Sequence, residues 1–110
     1  MEGLSKMDKY ILAYLWHEYF GALYYSSGKE EPETFLAKSF ISSIISERAF
    51  NYQQVLKKAV QAIEKLKNYW LIEVSGYEIK LTSYGQQVAS SIGKEEYEKL
   101  KKELSEGKFD

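Results

Sequence analysis

The sequence predicts one mainly helical α+β domain, in which three helices are followed by a small β-hairpin and a closing helix. Three observations carry this. Apolar residues recur at three- and four-residue steps in the segments before Asn68. Strand-like composition then brackets Ser75-Gly76, and helical spacing returns after Thr82. A chain of 110 residues supports one hydrophobic core but not two.

The first helix is expected from Lys6 to about Tyr25, with Ile11, Leu12, Leu15, Tyr19 and Leu23 as its buried stripe. Ser5 and Asp8 form a variant of the capping box at its start, and Ser26-Ser27-Gly28 is expected to stop it. Pro32 suits the first turn of a second helix, where its missing N–H costs nothing. That helix is expected to run to about Glu47, burying Phe35 or Leu36, then Phe40, Ile41, Ile44 and Ile45. Arg48-Ala49-Phe50 reads as a short break. Asn51 with Gln54 reads as an N-cap and its reciprocal partner, opening a third helix that ends near Asn68.

Residues 71–74 and 77–81 are the expected strands, with Ser75-Gly76 as their turn. Thr82 caps the last helix, whose stripe is Val88, Ala89, Ile92, Tyr97, Leu100 and Leu104, and Gly93 is placed to kink or divide it. A hairpin alone is marginal in water, so this one must pack on the helices.

Composition narrows the function. No apolar run approaches the roughly 20 residues a membrane span needs, and the first residues lack a signal-peptide layout. The expectation is a cytoplasmic protein. The abundance of Tyr, Lys, Glu and Ile with a single Pro would suit a thermophile or archaeal source. There is no Cys, and His17 stands alone, so neither a structural zinc site nor another metal site is expected. No Gly-rich phosphate loop, Ser/His/Asp set or Cys/His pair is present. The paired acids Glu30-Glu31 and Glu95-Glu96 lie in charge-rich segments, a poor setting for general acid–base work. The reading is a non-enzyme without cofactors.

The net charge of −1 is unevenly spread. Residues 48–80 hold Arg48 and five Lys against three Glu, a local excess of +3, whereas residues 1–47 carry −3. A local patch of this kind can outweigh a near-neutral total. On a helical wheel, Val55, Ala59, Ala62, Ile63 and Leu66 share one face of the third helix. Gln54, Lys57, Lys58, Gln61 and Lys65 lie opposite, with Glu64 at the margin. Lys suits phosphate oxygens, Gln can pair with an adenine edge, and an α-helix fits a major groove. An ordinary solvated helix face has the same composition.

The text Ala62-Ile-Glu-Lys-Leu-Lys-Asn-Tyr-Trp-Leu-Ile-Glu73, followed by Tyr77-Glu-Ile-Lys-Leu-Thr-Ser-Tyr-Gly85 and Val88-Ala89, resembles the winged helix-turn-helix regulators, especially small prokaryotic or archaeal ones of the MarR/PadR type. Leu66, Leu71, Ile72, Leu81, Thr82 and Gly85 fall on that family's positions for the end of the recognition helix, the wing and the next helix. The resemblance covers about residues 44–90. It implies a helix-turn-helix over about 33–68, a wing over about 70–82 and a closing helix over about 83–106. It also implies sequence-specific binding of double-stranded DNA in transcriptional regulation, as a homodimer. The implied contacts are Gln53, Gln54, Lys57, Lys58, Gln61 and Lys65 on the helix, with Ser75 and Tyr77 at the wing. The chain departs from the family in having Tyr69-Trp70 where a Gly or small residue usually stands. Its wing carries Glu73 and Glu78 against Lys80 alone and has no Arg or Lys at the tip.

The physical duties of the matched residues are structural. Leu66, Leu71 and Leu81 tie the helix end and both strands into one core, Thr82 caps, and Gly85 permits close approach. The first helix is apolar on more than one side, which implies burial on more than one side. A homodimer interface of Tyr10, Tyr14, Trp16, Phe20, Tyr97, Leu100 and Leu104 is one account of this. Extra rings covering a small core is the other. A protein-interaction adaptor without DNA binding, favoured by the acidic wing, and a regulator sensing a small-molecule effector are the competing functions.

Overall fold

The computed structural model describes residues 3–25, 30–76 and 78–108. It is an α+β fold of five helices and a three-stranded antiparallel sheet, about 60% helical. No helix among the described residues is long and apolar enough to cross a membrane.

Helix α1 (Lys6–Tyr19) begins as expected. The Asp8 N–H donates to Ser5 Oγ at 3.1 Å, and the Ser5 N–H donates to Asp8 Oδ2 at 2.9 Å. Its end differs from the expectation. Phe20 and Gly21 adopt left-handed φ values of 55° and 100°, and the Gly21 N–H closes on the Leu15 carbonyl at 2.8 Å. Two successive left-handed residues reverse the chain, and Ala22–Tyr24 becomes strand β1 rather than a last helical turn. The stop expected at Ser26-Ser27-Gly28 lies outside the described residues.

Helix α2 (Pro32–Ile41) has Pro32 in its first turn and ends six residues earlier than expected. Ser42 and Ser43 hydroxyls donate back to the Ser39 and Phe40 carbonyls, and the chain leaves the helix in tight turns. Ile44 is nevertheless buried and Ile45 half-buried, so the apolar pattern holds without helical geometry. Helix α3 (Tyr52–Asn68) occupies its expected span, but Asn51 makes no side-chain capping bond. The reciprocal Asn51–Gln54 cap is therefore not formed.

Strands β2 (Ile72–Ser75) and β3 (Glu78–Leu81) form the hairpin, with Ile72 opposite Leu81 and Ser75 opposite Glu78. β3 is the central strand. Its other side pairs with β1, Leu23 lying opposite Ile79, and the sheet order is β1-β3-β2. Beyond it, Gly93 divides the closing segment into α4 (Ser83–Ser90) and α5 (Lys94–Ser105).

The junction of hairpin and α4 is close-packed. The Gly85 N–H donates to Thr82 Oγ1 at 2.9 Å, Thr82 Oγ1 donates to the Trp70 carbonyl at 2.6 Å, and the Thr82 N–H donates to the Leu71 carbonyl at 3.1 Å. A Cβ on Gly85 would lie 1.9 Å from the Leu71 oxygen, so only glycine fits there. Leu66, Leu71 and Leu81 are all buried, as their proposed duties require.

One core runs through the chain, with α1 against α3, α4 and α5 and α2 against α3. Tyr10 stacks on Tyr97 at 5.4 Å, and its hydroxyl meets Ser43 Oγ at 2.8 Å. Tyr97 donates its hydroxyl hydrogen to Glu18 Oε2 at 2.8 Å. Burial drives the phenols of Tyr10, Tyr14 and Tyr97 above the ordinary tyrosine range. This corrects the expected interface. Tyr10, Tyr14, Tyr97, Leu100 and Leu104 are buried in the chain's own core and present no surface to a second copy. Of that set, Trp16 is half-buried against the core and Phe20 alone is fully exposed.

Candidate nucleic-acid interface

Helix α3 is amphipathic, and its position follows from its apolar face. Val55, Ala59, Ala62, Ile63 and Leu66 are buried, with Leu56 and Val60 at the margin. Rotation is then fixed. Gln53, Gln54, Lys57, Lys58 and Gln61 are exposed along the opposite face. Among the described residues, Lys57 and Lys58 take part in no ion pair, whereas Lys65 and Lys67 of the same helix are both paired.

Lys65, expected on this face, is turned elsewhere. Its Nζ lies 2.7 Å from Asp8 Oδ2, donates to the Gly3 carbonyl at 2.6 Å and sits 5.8 Å from the centre of the Tyr69 ring. The hydrogen bond to buried Asp8 raises the Lys65 ammonium above its ordinary range, outweighing partial desolvation. This lysine fastens α3 to the start of α1. Its charge is balanced inside the fold, and a phosphate contact would have to compete with Asp8. Between these elements lies a cleft of about 210 Å³, lined by Ser5, Met7, Asp8, Lys58, Gln61 and Lys65.

Lys67 is likewise a brace. It pairs with Glu33 on α2 and, at 3.9 Å, with Glu64. Burial alone would raise the Glu33 carboxyl, but the hydrogen bond from Lys67 and the local backbone hold it below its ordinary range. The same hydrogen bond raises Lys67.

The hairpin adds little positive charge. Lys80 lies 3.5 Å from Glu73 and 3.9 Å from Glu78, so the one hairpin cation is neutralised. Ser75 is exposed at the end of β2. Tyr77 lies outside the described residues. Tyr25 donates its hydroxyl hydrogen to the Gly76 carbonyl at 2.8 Å, which pins the turn to the segment after β1.

Two further features of this region carry exposed side chains: the sequence marked Arg48-Ala49-Phe50 only as a break and Trp70 only as a departure from the family pattern. The α2–α3 turn exposes Arg48, the only arginine of the chain, and Phe50, whose ring is as exposed as in an extended chain. The available signal was their position directly before the cap of a cationic helix. Trp70 holds a left-handed φ of 61° and is 77% exposed. It adjoins a groove of about 350 Å³ lined by Lys67, Asn68, Ile72, Glu73 and Val74.

Among the described residues no group of His, Cys, Asp or Glu is arranged to hold a metal ion. Compared with known proteins, the chain matches no family model, and neither a curated protein nor a solved structure is significantly similar to it.

Proposed function

We propose that the chain is a winged-helix domain that binds double-stranded DNA through the exposed face of α3, as a homodimeric regulator of transcription. The observation that carries the reading is the pair Lys57 and Lys58, exposed and, among the described residues, without carboxylate partners, flanked by exposed Gln53, Gln54 and Gln61. Cations left unpaired while neighbouring lysines are paired suit an external anion, and the glutamines add hydrogen-bonding groups of the kind that reads base edges. The hairpin, neutralised at Lys80, contributes backbone contacts near Ser75 at most. A dimer would have to use surface outside the α1–α5 contact, with Phe20 the most exposed remaining member of the expected set.

The test is duplex binding across a salt series. Each phosphate contact adds roughly 0.9 to the log–log salt slope. Lys57→Ala with Lys58→Ala should weaken binding and lower that slope by up to about 1.8. An unchanged affinity and slope in a folded double variant would refute the assignment of this face.

Trp70 favours a second reading, an interaction module without DNA binding. A bulky residue kept in a left-handed conformation beside an open groove suits contact with another protein. No duplex binding at about 50 mM salt would decide for it.

A further inference from the structure

The α2–α3 turn carries a set of side chains that the fold itself does not use. The turn is held by its own backbone. The Ala49 N–H donates to the Ser46 carbonyl and the Tyr52 N–H to the Ala49 carbonyl, both at 3.0 Å, and the Arg48 N–H donates to Ser46 Oγ at 3.1 Å. None of these bonds needs the Phe50 ring. That ring is fully exposed, whereas Tyr52, two residues on, is buried. Among the described residues the Arg48 guanidinium makes no ion pair, and Asn51 makes no capping bond. Glu47 is the one acid in the turn 46–51. The start of α3 thus gathers an apolar ring, a guanidinium, an amide and two glutamines, with Lys57 and Lys58 following along the helix.

Fully exposing a phenylalanine gives up the burial that a place in the core would provide. The surrounding charge argues for what covers it. Cations without partners around an apolar ring suit a polyanion that also offers an apolar group. Duplex DNA offers one in its major groove, the C5-methyl of thymine, which makes apolar contacts with side chains such as phenylalanine. A helix that enters this groove contacts base edges mainly through residues at its N-terminal end.

We infer that Phe50 is a specificity residue that reads a thymine methyl group in the major groove, with Arg48 holding an adjacent backbone phosphate. This rests on the DNA-binding reading above and goes beyond it in assigning a base and an atom. One buried methyl is worth about fourfold in affinity.

The experiment uses the full chain and the tightest duplex it selects from a random pool. That duplex is prepared once with thymine and once with deoxyuridine at every thymine, which removes only the methyl groups. The wild type should bind the thymine duplex at least about threefold more tightly. Phe50→Ala should bind both equally, at the weaker level, and Phe50→Leu should keep part of the difference. Circular dichroism of Phe50→Ala should match the wild type, since the ring packs on nothing. Equal binding of both duplexes by the wild type, or a preference that survives in Phe50→Ala, overturns the inference and leaves DNA binding standing. A change in sedimentation with no change in preference assigns the ring to self-association and overturns it too. No duplex binding by the wild type overturns both readings.

Discussion

Replacing Gly85 by alanine adds one methyl group at the tightest point of the fold. The new Cβ would sit 1.9 Å from the Leu71 carbonyl oxygen and 2.9 Å from its carbon. Both are backbone atoms, so no side-chain rotation relieves the contact, and α4 must move from the hairpin by more than about 1 Å. Overpacking of this kind costs about 1–3 kcal/mol, here at the upper end. The movement also loosens, without breaking, the bonds that Thr82 makes to Gly85, Trp70 and Leu71, at about 1 kcal/mol for the three together. Against this, alanine in a helix gains about 0.5–1 kcal/mol over glycine. The expected net loss is roughly 3 kcal/mol, a large part of the 5–15 kcal/mol typical of a domain. At about 4 °C per kcal/mol, Tm should fall by about 12 °C. Thermal and urea unfolding followed by circular dichroism measures this. Gly93→Ala is the control, because nothing lies within 4 Å of its added Cβ, and its change should stay within about 1 kcal/mol. A Gly85→Ala protein as stable as the wild type would refute the close approach of α4 to Leu71.

Three further outcomes are expected. Trp70→Gly should raise stability by about 1 kcal/mol, because it relieves a left-handed φ and removes an exposed ring; a lower urea midpoint would contradict this. The lowered Glu33 carboxyl contributes stability that is present above its ordinary titration range and is lost as pH falls through its depressed value. Glu33→Gln should therefore be less stable than the wild type at neutral pH by about 1–2 kcal/mol and should lose less on acidification to about pH 3; parallel pH profiles would refute it. Lys65→Met should cost about 1–3 kcal/mol by leaving buried Asp8 without its cation, while lowering the salt slope of DNA binding less than the Lys57/Lys58 pair does.

Much of the helical framework was legible because apolar spacing and caps are local. Ser5, Pro32 and Thr82 sit where their side chains or ring require, Gly93 divides α4 from α5, and α3 fills its expected span with the expected face buried. Strand β1 was not legible. Leu23 continues the spacing of Leu15 and Tyr19, so a helix explains it locally, while its pairing with Ile79 depends on residues far along the chain. Gly21 was the local clue. The aromatic residues of α1 were correctly read as buried on more than one side. Their cover is α3, α4 and α5 of the same chain, and periodicity cannot tell an internal neighbour from a second copy. The candidate site divided in the same way. The wheel gave the exposed Gln and Lys, but the diversion of Lys65 to Asp8 arises only when α1 and α3 meet. Phe50 was marked only as part of a break because an aromatic residue there reads as local packing.

The central position of β3 has a consequence for how the chain reaches this state. Its hairpin with β2 pairs residues close together in the sequence and needs little loop closure. Its pairing with β1 must gather in both α2 and α3, and α1 meets α5 through Tyr97 and Glu18, 79 residues apart. During synthesis, α1 and β1 emerge first yet have no completed neighbours until the last helix follows. The helical hairpin α2–α3 and the β2–β3 turn are the natural early structures, and the aromatic face of α1 is the last to be covered. In the interval that face is the segment most exposed to aggregation, so synthesis interrupted before α5 would leave a chain with its stickiest helix uncovered.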